Sequence, residues 1–406
     1  MVWNGTDWVR ESPQSRRSWT RMVATPFGSP VLIVAVVLAT VVGAGAILGT
    51  KAGSTAPSRS AAPLGAAAPS SSPAPRASRA ATVATATSRP TPTTAPKPTP
   101  QPAHATPTPR PTPRPTTPPV KLLFGLGPEA DGAAREPFVH DAPVHMLTSW
   151  YNGPGDLAWM TGWRGSFVPD AYKAGYALHL IVYSGQPHTT IPTKYGDACG
   201  QAYPLSARFV GDMEQLARTF AGSGRFYVTL FTEFQTYACS TNAWNPNPET
   251  NAYWRALKDQ YMAALRAFHR YAPNARVSLG WGGWQTRWDD PAIGGGRSMF
   301  GHFADVMRAS DFESFQAMQT DTNVTDVLNM TRTLGAYGPV MLAHYKPDNG
   351  SQSVFEADTR TMLTDRYLAK LVAAGLFAWS FMDERNLSAS ATTYDRIVSA
   401  VRRHGR

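Results

Sequence analysis

Apolar runs of strand length alternate with amphipathic helical patterns through residues 120–406, and this alternation is the strongest constraint on the fold. The strand-like runs are Lys121–Leu126, Val144–Trp150, Ala177–Tyr183, Phe226–Phe231, Arg276–Gly280, Phe312–Met318, Val340–His344 and Leu376–Phe381. The helical patterns are Leu205–Phe220, Glu249–Tyr271, Asn323–Leu334, Phe355–Ala374 and Tyr394–Arg403. Strands separated by helices of this length indicate parallel βαβ units. Eight of them predict a (β/α)8 TIM barrel rather than an open sheet, and no GxGxxG motif follows the first strand.

A long apolar run precedes the barrel segment. Residues 31–49 carry no charge, and about 20 such residues span a bilayer as a helix. The positive charges ahead of the run are Arg10, Arg16, Arg17 and Arg21. By the positive-inside rule they place the N-terminus in the cytoplasm. We therefore expect a cytoplasmic tail at 1–28, a single-pass signal anchor at 29–50, and an extracytoplasmic C-terminal domain at the cell membrane.

Residues 51–119 join the predicted anchor to the predicted barrel. They are rich in Ala and Ser at first and in Pro and Thr later, so they lack the apolar side chains that a core needs. Alternating prolines favour extended polyproline II, at ~3 Å per residue. The composition predicts a disordered stalk that holds the domain at 120–406 away from the membrane.

The positive charge of the chain is confined to its N-terminal part. Residues 1–120 contain twelve Lys and Arg and two acidic residues, whereas residues 121–406 contain 26 of each sign. A basic surface is the usual mark of a nucleic-acid-binding domain. Because the barrel segment is neutral overall, we expect no nucleic-acid partner.

The two cysteines of the chain, Cys199 and Cys239, both fall in predicted loops of the barrel segment. An extracytoplasmic location permits a disulfide. We expect the two to pair because both loops should lie at the same end of the barrel. Two unpaired buried thiols are the alternative.

Polar and aromatic residues gather where the predicted strands end. Active sites of TIM barrels lie at the carboxyl ends of the strands. Flat rings and hydrogen-bonding side chains are what sugar recognition requires. The candidate ligand-binding residues are Trp150, Tyr151, Tyr183, Gln235, Trp281, Trp284, Gln316, His344, Tyr345 and Trp379.

Glu233 is the strongest catalytic candidate. Strand alternation would place Tyr227, Thr229, Phe231 and Glu233 toward the barrel interior. The opposite face would then carry Val228, Leu230 and Thr232. A carboxyl group beside aromatic walls favours its acid form and could serve as a general acid. A structural glutamate bonded to arginine or to backbone amides is the alternative.

Residues 121–406 resemble the clan A glycoside hydrolases, most closely the family 26 mannanase-like domains. The resemblance rests on the runs that end at Glu233 and His344 and on Trp379. In that clan the fourth strand ends in the acid/base Glu and the seventh in the nucleophile Glu. The resemblance therefore implies Glu233 as acid/base and Trp379 as the platform beneath the sugar. His344 stands where the nucleophile is expected, and Thr232 stands where Asn or His commonly precedes the acid/base.

Glycosidases of this kind need a second carboxylate, at ~5 Å for retention or ~6.5–9.5 Å for inversion. Asp383 is the first candidate, because it shares a strand face with Trp379. Glu313 and Asp348 follow, although strand alternation turns Glu313 away from Gln316 and a turn explains Asp348. His344 itself could orient a hydroxyl or hold a water, or it could be a structural histidine.

Three functions remain open. The first is a glycosidase acting on a polysaccharide, the second a non-catalytic carbohydrate-binding barrel, and the third a cell-wall-associated scaffold. HExxH, paired CxxC, P-loop and GxSxG motifs are absent from the sequence, so we predict neither a metal nor a cofactor.

Overall fold

The structure is a computed structural model that describes residues 2–3, 8–9, 120–183, 188–239, 247–289, 299–347, 350–382 and 384–406. The predicted signal anchor at 29–50 and stalk at 51–119 lie outside these residues. Among the helices that are described, none has the length and apolar character needed to cross a membrane. Two short strands near the N-terminus, β1 (Val2–Trp3) and β2 (Trp8–Val9), pair antiparallel.

Eight parallel strands close into a barrel, in which each strand pairs with the barrel strand that follows it in the sequence and the last pairs with the first. Their bounds are β3 (Leu123–Leu126), β4 (Met146–Tyr151), β5 (Ala177–Val182), β8 (Phe226–Leu230), β9 (Ala275–Gly282), β10 (Glu313–Ala317), β11 (Val340–Tyr345) and β12 (Leu376–Phe381). Each matches one of the predicted strands, so the predicted parallel barrel is confirmed. The C-terminal end of the chain packs beside the start of the first barrel strand, where the Leu122 amide donates to the His404 carbonyl over 2.7 Å.

Helices surround the barrel. They are α1 (Ala130–Ala133), α2 (Pro137–Asp141), α3 (Leu157–Thr161), α4 (Phe167–Lys173), α5 (Ala202–Leu205), α6 (Phe209–Phe220), α7 (Pro248–Tyr271), α8 (Gln285–Trp288), α9 (Phe300–Ala309), α10 (Asn323–Leu334), α11 (Gln352–Met362), α12 (Asp365–Ala373), α13 (Glu384–Ser388) and α14 (Ala391–His404). The segment Phe355–Ala374, predicted as one helix, is two. The side chain of Thr364 accepts from the Tyr367 amide and begins α12.

A hairpin that the sequence did not predict follows the third barrel strand. It consists of β6 (His188–Thr193) and β7 (Gly196–Gln201). β6 has mostly exposed polar residues, so it lacks the apolar alternation that marks a strand. Cys199 therefore lies in a strand rather than in a predicted loop. It is joined to Cys239 by a disulfide.

Six polar side chains form a continuous chain of hydrogen bonds inside the barrel, which we name the polar belt. Its members are Ser380, Thr148, His179, Thr229, Ser278 and Ser314, and the successive links measure 2.7, 3.3, 3.0, 3.4 and 2.6 Å. They come from six of the eight barrel strands. Burial lowers the pKa of His179 to about 3, so the belt holds a neutral imidazole.

Glu313, a candidate second carboxylate, lies on the helix-facing side of β10. Its neighbour Ser314 belongs to the polar belt, and strand alternation therefore turns Glu313 outward. Its side chain is fully buried, and neither oxygen has a hydrogen-bond partner. Burial raises the pKa of Glu313 to about 9. The carboxyl group is therefore neutral at pH 7.

Replacing Glu313 with Gln should stabilise the barrel above pH 5. The pKa of Glu313 in the folded state lies above the unfolded value of about 4.3. The free energy of unfolding is therefore highest below pH 4.3 and falls as pH rises toward about 9. At pH 7 the cost is on the order of 3 kcal/mol. Urea denaturation at pH 4.5 and 7 should show this loss in the wild type and not in Glu313→Gln. Glu129→Gln, at an exposed position, is the matched control and should not remove the loss.

Candidate active site at the carboxyl ends of the strands

A cleft of about 200 Å³ opens at the carboxyl ends of the barrel strands. It is lined by Trp150, Tyr183, Thr232, Glu233, Tyr237, Trp284, Gln316, Met318, Gln319 and Met382. Five of the residues proposed from the sequence therefore meet in one place: Trp150, Tyr183, Glu233, Trp284 and Gln316. Glu233 is the carboxylate among the described residues that line the cleft.

Glu233 reaches the cleft through an irregular backbone. Strand β8 ends at Leu230, and both Phe231 (φ 59°) and Glu233 (φ 57°) adopt the left-handed conformation. That conformation costs a non-glycine residue about 1–3 kcal/mol and is concentrated at functional sites. The alternation expected from the sequence is wrong here. Phe231 turns outward to stack on Phe209, and Thr232 lines the cleft.

Two side chains bind the carboxylate of Glu233. The Gln316 amide nitrogen donates to Oε1, and the Tyr237 hydroxyl donates to Oε2 over 3.0 Å. An amide NH2 group can only donate, so Oε1 is an acceptor. A tyrosine hydroxyl can donate to a carboxylate or accept from a carboxylic acid. The Tyr237 side therefore suits both protonation states of Glu233.

Tyr237 lines the cleft beside Glu233 and was not predicted from the sequence. Burial, followed by the negative charge of Glu233 and the neighbouring Tyr183, raises the pKa of Tyr237 well above its ordinary value. The ring packs edge-on against Tyr183, with the centroids 5.7 Å apart. Its spacing of four residues from Glu233 was a usable signal, but the intervening 3-10 turn (Phe234–Thr236) was not predicted.

Trp150, Tyr183 and Trp284 form the aromatic walls of the cleft. Trp284 fits because the preceding strand ends in glycine. A Cβ atom at Gly282 would lie 2.7 Å from Trp284 Cζ2 and 2.5 Å from Gln235 Nε2. Because Gly282 has no side chain, the Trp284 ring can occupy this space and form one wall of the cleft.

Six candidate ligand-binding residues are buried outside the cleft lining: Tyr151, Gln235, Trp281, His344, Tyr345 and Trp379. Alternation explains Tyr151, Trp281 and Trp379. Trp379 lies between the inward Ala378 and Ser380 of the polar belt. Trp150 faces inward, so Tyr151 faces the helices and bonds to Tyr203 over 2.7 Å. Trp281 lies between two inward glycines and packs on Phe300 and Phe303.

Tyr345 and Trp379 pack together in the outer core, with ring centroids 5.5 Å apart. The Tyr345 hydroxyl donates to Asp358 over 3.1 Å. Trp379 is therefore placed away from the platform position that the resemblance implied. Gln235 lies in the 3-10 turn and donates to the Gly282 carbonyl over 3.4 Å.

His344 lies behind the cleft wall. The pairing register of β11 shifts between Leu342 and Tyr345, so His344 turns inward and Tyr345 outward. The Trp150 indole N–H donates to His344 Nδ1 over 3.0 Å. This contact requires an unprotonated Nδ1. His344 is fully buried and supports the Trp150 wall.

The remaining candidate carboxylates differ in position. Asp383 and Asp348 lie outside the described residues. Met382, the neighbour of Asp383, lines the cleft, whereas Glu313 does not. In the described part of the chain, no group of three or more His, Cys, Asp or Glu side chains is placed to bind a metal ion.

Comparison with known proteins gives structural likeness only. No family model and no curated protein matches the chain. A GH5-4 broad-specificity endoglucanase from an uncultured bacterium is 12% identical, with a TM-score of 0.45, covering 70% of this chain and 94% of that one. A psychrophilic family 10 endo-β-1,4-xylanase is 8% identical, with a TM-score of 0.45, and the match covers 70% of this chain and 96% of that one.

The Ignisphaera aggregans GH53 catalytic domain is 13% identical, with a TM-score of 0.39, and the match covers 64% of this chain and 79% of that domain. These neighbours are glycoside hydrolases of families 5, 10 and 53. At such identities and TM-scores the likenesses carry no argument about activity.

Gly282→Ala should disrupt the cleft. The added methyl group clashes with Gln235 and Trp284, so we expect a loss of about 1–3 kcal/mol in stability and a changed environment of Trp284. Denaturation and near-UV circular dichroism measure the two effects. Gly211→Ala is the matched control, because its Cβ meets nothing within 4 Å on α6. It should be neutral or slightly stabilising. Unchanged spectra and stability in Gly282→Ala would contradict this packing.

Proposed function

We propose that this chain is a membrane-anchored, extracytoplasmic glycosidase that acts on a polysaccharide. The observation that carries the proposal is Glu233, presented between aromatic walls with a donor side chain on each carboxylate oxygen. Aromatic faces bind the C–H surfaces of sugars, and polar groups between them bind hydroxyls. A cleft that is open to solvent suits a polymer better than an enclosed pocket would.

Glu233 would act as the general acid/base. Gln316 keeps Oε1 as an acceptor, so a proton on the carboxyl group belongs on Oε2. The Tyr237 hydroxyl can reverse its hydrogen bond when that proton is lost or regained. Such a carboxyl group can protonate a leaving glycosidic oxygen and later deprotonate water.

Asp383 is our candidate for the second carboxylate. It follows Met382, which lines the cleft just after β12. In the closed barrel of eight strands, β12 lies opposite β8, the strand that precedes Glu233. The nucleophile position implied by the family 26-like resemblance is taken by the buried His344. An inverting reaction, with a water between two carboxyl groups ~6.5–9.5 Å apart, therefore fits the proposal better than a retaining one.

The alternative is a non-catalytic carbohydrate-binding barrel. It is favoured by the contact of His344 with the Trp150 indole, which gives the seventh strand a supporting role in the wall. The scaffold hypothesis has no comparable observation in its favour.

Glu233→Gln in the fragment 120–406 should abolish release of reducing ends from the polysaccharide that the wild type cleaves. Loss of a general acid lowers the rate by about 10²–10⁴-fold. Mannans, β-glucans, xylans and α-glucans are the substrates to screen. Asp383→Asn should show a comparable loss. Glu313→Gln is the matched control and should retain activity, because its carboxyl group faces the helices.

The same screen separates the two functions. Binding of one polysaccharide without release, unaffected by Glu233→Gln, would establish the binding barrel. Release that survives Glu233→Gln would remove Glu233 from the mechanism. The anomeric configuration of the first product, observed by NMR, distinguishes inversion from retention.

The full chain should fractionate with membranes and resist extraction by alkaline carbonate. An apolar run of the length found at 31–49 is enough for a stable transmembrane anchor. The fragment 120–406 should be soluble, and protease added to intact cells should remove the domain from the full chain. Extraction of the full chain by carbonate would contradict the anchor, and protection from protease would contradict the orientation.

A further inference from the structure

The segment Phe234–Cys239 follows Glu233 and is held to the β6–β7 hairpin at its far end. The Cys199–Cys239 disulfide makes one link. The Cys239 amide makes a second, donating to the Cys199 carbonyl over 3.2 Å. Tyr237 lies two residues before this double attachment, so the attachment limits where its side chain can go.

The hairpin is itself fixed to the barrel. Gly200, next to Cys199, packs against the Tyr253 ring of α7, and a Cβ atom there would lie 2.5 Å from two atoms of that ring. Gln201, which ends β7, is fully buried. At the other strand, the His188 ring contacts the Tyr237 ring with centroids 6.2 Å apart. Cys199 is therefore a firm point of attachment.

Tyr237 connects the disulfide-linked hairpin to the cleft. Its hydroxyl donates to Glu233 Oε2 over 3.0 Å, and its ring packs on Tyr183. Immediately before this segment, Phe231 and Glu233 adopt the left-handed conformation, so Glu233 itself is held by an irregular backbone. A strained segment keeps its conformation only where its surroundings hold it.

We propose that the Cys199–Cys239 disulfide is a positioning element of the cleft, which holds the Tyr237 hydroxyl against the carboxylate of Glu233. The inference rests on the proposed role of Glu233 as the functional carboxyl group. Reduction by a dithiol breaks the S–S bond, gives two thiols and oxidises the dithiol to its own disulfide. The reduced protein would keep the barrel and lose the Tyr237–Glu233 hydrogen bond.

NMR of protein labelled with ¹³C at tyrosine Cζ tests the proposal without any substrate. The Tyr237 signal is assigned by its absence in Tyr237→Phe. In Glu233→Gln the amide oxygen faces the Gln316 donor and the NH2 group faces Tyr237, so the Tyr237 hydroxyl changes from donor to acceptor and its signal should shift. The same substitution is then made in Cys199→Ser/Cys239→Ser and measured again. We expect the shift in the disulfide-bonded protein and its loss without the disulfide.

Tyr394 provides an internal control, because its hydroxyl makes a comparable hydrogen bond to a carboxylate. It donates to Asp141 over 2.7 Å at an exposed position, and both residues are far in sequence from residues 234–239. Its signal should stay constant in all variants. Wild type and Glu233→Gln treated with dithiothreitol give a second comparison, in which the cysteines are retained. An equal Glu233→Gln shift with and without the disulfide would overturn the proposal. So would simultaneous loss of the Tyr394 signal, which would mean that the disulfide holds the whole domain.

The test is independent of turnover. If no polysaccharide is cleaved but the shift depends on the disulfide, the glycosidase proposal fails and the positioning role stands. If Glu233 is essential for cleavage but the shift does not depend on the disulfide, the glycosidase proposal stands and the positioning role fails.

Discussion

Closure of a parallel barrel forces every strand residue to face either the closed interior or the helix layer, and the rest of this structure depends on that choice. Along most of each strand the choice alternates, which fills the interior with small, apolar and belt residues. At the carboxyl ends two irregularities override the alternation. Left-handed residues after β8 bring Thr232 and Glu233 to the cleft, and a register shift in β11 brings His344 behind Trp150. The cleft exists because regular alternation stops there.

The sequence predicts the regular part of the molecule well. All eight barrel strands follow from apolar runs, and α6, α7, α10, α11 and α14 follow from their amphipathic pattern, whereas α9 was not predicted. It also brings Glu233, Gln316 and three aromatic residues to one rim, because the carboxyl ends of parallel strands share an edge.

The predictions fail for two reasons, because regular alternation buries some residues near the strand ends and irregular backbone moves others. Trp281 and Trp379 were assigned to the rim because they are near strand ends, yet alternation buries both beneath helices. The exchange of Phe231 and Thr232 could not be predicted, since a positive φ at a phenylalanine has no sequence signature. Tyr237 escaped notice because its place depends on a 3-10 turn and on a pairing with a hairpin whose strands are polar.

The polar belt has a consequence that concerns direction rather than strength. A neutral imidazole donates through one nitrogen and accepts through the other. Since His179 bonds Thr148 on one side and Thr229 on the other, one of these hydroxyls must give its hydrogen to the ring while the other receives one. The two hydroxyls therefore point the same way around the barrel, clockwise or anticlockwise. Moving the proton from one ring nitrogen to the other would reverse both, so the tautomer of one histidine sets the sense of rotation of the hydrogen bonds on either side of it.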